Sequence, residues 1–297
     1  MKRSTWILIA VLCVLLVAAY FVLQRPGESS SSGSTGKMLV DYDSAAVDKI
    51  DVSGPAGHVV LAREAGSWML TEPLRYKADP TLVGSTLSAG KRIELTSLVS
   101  TNQQKQSLFK LDSTGTLVKI LQEGTEKAGF LIGKPSQTYT ETYVRREGAD
   151  EVYLASGFFS SMFQRRPNDW RDKTIFQQGQ DAIPGVTMHF GDTTFTLTKT
   201  DTLWMIDGQR ANDDAVRSFL AALADFKTDE FIDTTIAALP KLTAQIDVMD
   251  SQLRFFWKKE GDRYYVLSSK SPQLFELYSW KVNSLLKRRK DFIAAGT

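Results

Sequence analysis

Cysteine is almost absent from this chain: Cys13 is the only one in 297 residues. It lies inside an apolar run near the N-terminus, so everything after it folds without a disulfide. Stability must come from buried apolar area, which a chain of this length can supply. Histidine is nearly as scarce. His58 and His189 stand far apart on separate predicted strands, and neither has a second histidine or a cysteine at ligand spacing. Metal sites need clustered His, Cys, Asp or Glu, so no metal and no cofactor is expected. An excess of one charge is lacking too. The formal net charge is +2, carried by Lys2 and Arg3; without them 34 basic side chains face 34 acidic ones. Nucleic-acid binding rests on neutralising phosphates, and this balance excludes it.

Catalytic signatures are also missing. There is no Gly-x-Ser-x-Gly elbow, no Gly-x-x-x-x-Gly-Lys-Ser/Thr loop and no Gly-x-Gly-x-x-Gly turn, so the chain cannot itself power a transporter. The serine-containing stretch Gly84–Gly90 falls along a predicted helix. The carboxylate pairs Asp213-Asp214 and Asp229-Glu230 could serve as acid and base in a glycosidase-like site. A helix N-terminus favours negative charge, which accounts for the first pair more simply. No catalytic residue is assigned.

What is present begins with Trp6–Leu23, eighteen consecutive apolar or aromatic residues. As a helix the run is roughly 27 Å long, enough to span a thin bilayer core. Lys2 and Arg3 precede it and place the N-terminus in the cytoplasm. The run is longer than a signal-peptide core, and no small-x-small cleavage site follows it, so an uncleaved anchor is expected. Residues 24–37 are rich in serine and glycine and read as a flexible linker. The expectation is a tail (1–5), a transmembrane anchor (6–23), the linker (24–37) and a periplasmic remainder on a bacterial inner membrane.

That remainder shows one order of elements twice. Strands are expected at 47–54, 58–64 and 67–73, turning at Gly54–Gly57 and Ala65-Gly66. A helix opens at Ala78-Asp79-Pro80, with Pro80 in its first position. Strands at 116–124, 127–134, 140–148 and 150–156 follow, then a helix over Phe158–Phe163. The second half gives strands at 186–191, 193–200 and 203–208, a helix from Ala211-Asn212-Asp213, strands at 244–251, 253–261, 263–270 and 274–280, and a final helix through Leu286. Trp68-Met69-Leu70 answers Trp204-Met205-Ile206. Arg171–Phe176 answers Arg288–Ile293. The reading is α+β: an N-terminal transmembrane helix, then two tandem repeats (38–178 and 179–297) of mainly antiparallel sheet with packed helices. Trp68 and Trp204 are expected in the core.

Two surface features remain. The basic run Lys287, Arg288, Arg289 and Lys290 is expected to end a helix, with Arg165-Arg166 placed similarly in the first repeat. Such a run either complements the helix dipole or contacts anionic lipid or an acidic partner. Tyr139, Tyr143, Tyr264, Tyr265 and Trp257 lie on predicted strands and would suit a glycan-stacking face.

The anchor, Val47-Asp48-Lys49-Ile50, the strand ending Trp68-Met69-Leu70-Thr71-Glu72-Pro73 and the following Ala78-Asp79 resemble bacterial proteins carrying the domain of unknown function numbered 4340. The resemblance covers most of Met38–Ile293. It implies a membrane-anchored protein encoded near ABC-type transport systems, some linked to gliding motility, and it carries over no binding residue. The expected function is a non-enzymatic accessory or interaction component of an ABC-type transport assembly, with transport subunits as partners. The alternatives are a cell-envelope glycan-binding module and an envelope hydrolase.

Overall fold

A computed structural model describes residues 36–293. The expected tail, the anchor and all but the end of the linker lie outside the described residues. Among the described residues no helix is long and apolar enough to cross a membrane. The architecture is mainly antiparallel β-sheet with a few helices, an α+β arrangement. The chain divides into two compact units: the residues up to Arg75 with Pro80–Pro167, and Tyr76–Asp79 with the residues from Asn168 onward.

The first unit contains β1 (Lys37–Met38), β2 (Lys49–Gly54), β3 (Gly57–Glu64) and β4 (Ser67–Glu72); β5 (Tyr76–Lys77) belongs to the second. Helix α1 (Pro80–Lys91) follows, then β6 (Glu94–Ser100), β7 (Thr116–Gln122), β8 (Thr125–Pro135), β9 (Glu141–Arg146), β10 (Val152–Ser156) and the one-turn α2 (Ser160–Phe163). The sheet order is β1-β6-β10-β9-β8-β7-β2-β3-β4. Tight hairpins set its register. Ala65 and Gly66 both have positive φ (46° and 83°), the backbone a two-residue turn needs to match strand twist. Val83 and Leu87 of α1 are buried, and the Tyr42 hydroxyl donates to the Leu87 carbonyl at 2.6 Å. A Cβ on Gly90 would sit 2.6 Å from that hydroxyl oxygen, so the close approach requires glycine.

The second unit contains β11 (Thr174–Gln177), β12 (Gly185–Phe190), β13 (Thr193–Thr200), β14 (Leu203–Ile206), β15 (Gln209–Arg210) and helix α3 (Asp213–Ala224). It continues with β16 (Asp225–Lys227), β17 (Glu230–Ile232), β18 (Leu242–Val248), β19 (Ser251–Lys258), β20 (Arg263–Ser268), β21 (Ser271–Tyr278) and α4 (Ser279–Asn283). Its sheet runs β15-β14-β13-β12-β18-β19-β20-β21-β17, with β11 and β16 as a separate pair. The Asn212 side chain caps α3 by accepting from the Ala215 amide at 3.0 Å. Val216, Phe219, Leu220 and Leu223 then fall on one face at helical spacing and enter the core. Each such side chain contributes on the order of 2 kcal/mol.

The two sheets share one topology. β6-β10-β9-β8-β7-β2-β3-β4 in the first unit is matched strand for strand by β17-β21-β20-β19-β18-β12-β13-β14 in the second. Eleven residues after β10 a one-turn 3-10 helix spans Pro167–Trp170, and eleven after β21 another spans Arg289–Phe292. Trp170 and Phe292 are both fully buried, and their carbonyls accept the amides of Asp79 (2.9 Å) and Asn212 (2.8 Å). Trp170 therefore answers Phe292. The expected match of Arg171–Phe176 with Arg288–Ile293 is out of register, because it pairs similar charges whereas the buried aromatics fix the correspondence. Trp68 and Trp204 are buried as expected, at 7% and 9% exposure.

Candidate functional site

The basic run does not end an α-helix. Helix α4 stops at Asn283, and Arg289 and Lys290 sit in the 3-10 turn, so a helix dipole does not account for the four cations. The run also divides. Arg289 donates to Asp207 at 3.0 Å and to Gln209 at 3.3 Å, Lys287 is partly buried and Lys290 is exposed. Arg288 instead lays its guanidinium 3.9 Å over the Phe190 ring.

Phe190 is held rigidly. Its ring stacks on Phe195 (6.2 Å between centroids), which meets Phe292 (6.1 Å), which meets Phe219 of α3 edge-on (5.4 Å). Beside it, the pairing of β18 with β19 slips between Leu242 and Ala244, leaving Thr243 as an extra residue. A bulge of this kind re-aims the neighbouring side chains. The Thr243 hydroxyl accepts the Trp257 amide at 2.9 Å. The Trp257 ring packs edge-on to Tyr264 at 4.9 Å yet remains 37% exposed, and Leu242 is 43% exposed. Phe190, Leu242, Thr243, Trp257 and Arg288, with Gly191 and Lys241, line a groove of about 440 Å³. Its two charged lining residues, Lys241 and Arg288, are both cations, and no carboxylate lines it. Burial pushes the Tyr264 phenol above its usual range and Asp262 adds to this, while Arg288 pulls the other way. The groove therefore offers two positive charges beside an indole face and an aliphatic side chain, which suits an anionic ligand with an apolar part.

The structure brings Arg288 and Trp257 together and separates most other candidates. Tyr264 is buried beneath Trp257, while Tyr265, the next residue on β20, faces the opposite side of the sheet under Lys258. In the first unit Tyr143 packs on Phe109 at 4.7 Å and Tyr139 is 72% exposed in the link between β8 and β9. The five aromatics do not share one face. Asp213 and Asp214 occupy the first turn of α3 and pair with Arg210 and Arg217, and Asp229 pairs with Lys281. These carboxylates have structural partners. His189 is held between Thr194 (3.0 Å) and Asp247 (2.8 Å) on an open sheet face. Among the described residues no group of three potential metal ligands is found.

Sequence reasoning missed Arg171. Its guanidinium is 1% exposed, lies over the rings of both Tyr76 (4.2 Å) and Phe231 (3.7 Å), which themselves meet edge-on, and is bonded to Asn168, Asp233 and Gln273. Nearby, Lys77–Asp172 and Lys270–Asp250 ion pairs line a polar groove of about 530 Å³. Apart from Asn168, the partners of Arg171 lie far from it in sequence, so no local pattern announces the cluster.

The fold defines an α+β protein of mainly antiparallel sheet, and the cationic, aromatic groove is its candidate site. A family model described as a domain of unknown function (DUF4340) matches residues 68–246, more than half of the chain. The chain belongs to that family. Neither a curated protein nor a solved structure matches it.

Proposed function

We propose that this chain is a single-pass protein of the bacterial inner membrane whose periplasmic part binds partner proteins of an ABC-type transport assembly and catalyses no reaction. The observation that carries the binding role is the groove at Trp257 and Arg288, which is exposed, aromatic and cationic without a lining carboxylate. Interface anchors are enriched in Trp and Arg for this reason: each offers a large contact area with a directional polar group. Family membership and the apolar run Trp6–Leu23 behind Lys2 and Arg3 support the anchored arrangement. The matching strand order of the two units supports an origin by tandem duplication of one α+β repeat.

The test is a photo-crosslinking amino acid at position 257 of the full-length protein in living cells, followed by mass spectrometry of the adduct. The expected product is a covalent complex with a transport subunit, absent when the probe replaces exposed Leu98. Capture of cell-wall glycan alone would support the glycan-binding alternative and overturn this reading.

A further inference from the structure

Strand pairing locates the equivalent of the Trp257–Arg288 groove in the first unit. Ile132 pairs with Thr116 on one side and Val144 on the other, as Phe255 pairs with Ala244 and Val266. The pairing of β8 with β9 slips after Ile132, so Pro135, opposite Thr142, stands where Trp257 stands opposite Tyr264, while Gly115 stands where Thr243 does and Thr114 where Leu242 does. Pro55 opens the β2–β3 turn as Gly191 opens the β12–β13 turn. All four first-unit residues line one cavity, of about 190 Å³.

The chemistry repeats as well as the position. The charged residues lining this cavity are Lys110 and Lys134, and no carboxylate lines it. The neighbouring Asp112 is turned to Thr114, accepting its amide at 3.1 Å and its hydroxyl at 2.6 Å. Lys110 is fixed by a left-handed backbone (φ 54°) that ends a 3-10 helix. Ser160 and Gln164 add a hydroxyl and an amide. Two cations thus serve the same place in both units, supplied by different residues: Lys241 and Arg288 in one, Lys110 and Lys134 in the other. The smaller cavity lacks an exposed aromatic and has room for a single acidic side chain.

We infer that the first unit carries a second anion site that takes an aspartate or glutamate carboxylate of an acidic peptide segment. The inference rests on reading the Trp257–Arg288 groove as a partner contact. A carboxylate between two ammonium groups gains charge-assisted hydrogen bonds, and a peptide supplies both the carboxylates and the apolar side chains that the larger groove accepts.

The experiment is calorimetric titration of full-length protein, in nanodiscs of zwitterionic lipid and phosphate-free buffer, with an acidic heptapeptide alternating glutamate with leucine or tryptophan. Two peptides are expected per chain. The variant Lys110→Asn/Lys134→Gln, in which asparagine tolerates the positive φ, should bind one, as should Lys241→Gln/Arg288→Gln. Thermal melting checks that each variant is folded, and Lys134→Gln alone replaces the first pair should it not be. One peptide per chain, lost only in the second variant, would overturn the first-unit site and leave the proposed function standing. No binding to either unit would sink both. Equal binding of a glutamine-for-glutamate peptide, or first-unit occupancy by inorganic phosphate but not by peptide, would also overturn the inference.

Discussion

Arg171 donates from one nitrogen to both carboxylate oxygens of Asp233, at 2.9 and 2.8 Å, although Arg171 is 1% and the Asp233 side chain 39% exposed. The arginine is thus a buried cation whose counter-charge reaches the surface. Removing that counter-charge leaves a desolvated guanidinium; removing the arginine leaves a carboxylate that water can reach. Asp233→Ala should cost about 2–3 kcal/mol, and Arg171→Met, which keeps most of the volume, should cost less. Denaturant midpoints of the two variants check the order. A milder Asp233→Ala would mean that Gln273 and Asn168 suffice to hold the charge.

Trp170 and Phe292 close equivalent 3-10 turns after β10 and β21, and both are fully buried. Truncating either to alanine should cost on the order of 3–5 kcal/mol, the loss expected for a large aromatic that leaves a cavity. Exposed Tyr139→Ala should change stability by less than about 0.5 kcal/mol. Equilibrium unfolding of the three variants decides. A loss below about 1 kcal/mol in Trp170→Ala would show that this turn carries little of the packing.

Much of this fold was legible in the sequence where local chemistry decides structure. Alternation and paired turn residues located most strands to within a few positions, and Pro80 and Asn212 marked where α1 and α3 begin. β6 escaped because Leu98 and Val99 are 54% and 37% exposed and its pairing with β10 shifts register twice, so apolar residues do not alternate cleanly. β16 and β17 are three residues each, too short to show a period. The groove was half legible: Arg288 and Trp257 were each singled out, but their meeting depends on the slip at Thr243 and on the Phe190 ring, both tertiary facts.

Arg288→Gln should separate binding from folding. The stacked guanidinium is on an exposed residue, so its loss should cost about 1 kcal/mol or less. Binding of an acidic ligand in the groove should weaken markedly, because one of two lining cations is gone. Comparing the melting temperature with the titrated affinity tests this. A variant that melts far below the wild type would make Arg288 a structural residue first.

Asp172 should contribute to the acid sensitivity of the second unit. Burial alone would raise its pKa, but hydrogen bonds from Lys77 and from the Thr174 hydroxyl and amide outweigh burial and hold it below the usual carboxylate value. A group whose pKa is depressed by folding stabilises the native state above its unfolded pKa. That stability is lost as pH falls through the lower, folded value. The unfolded value is about 3.9, so the contribution should be complete by about pH 5 and decline below about pH 4. Asp172→Asn, which cannot ionise, should lower stability at pH 7 and flatten the acid limb. Denaturant midpoints for both proteins between about pH 2 and 6 provide the measurement, and parallel curves would show that the Lys77 pairing does not contribute to folding.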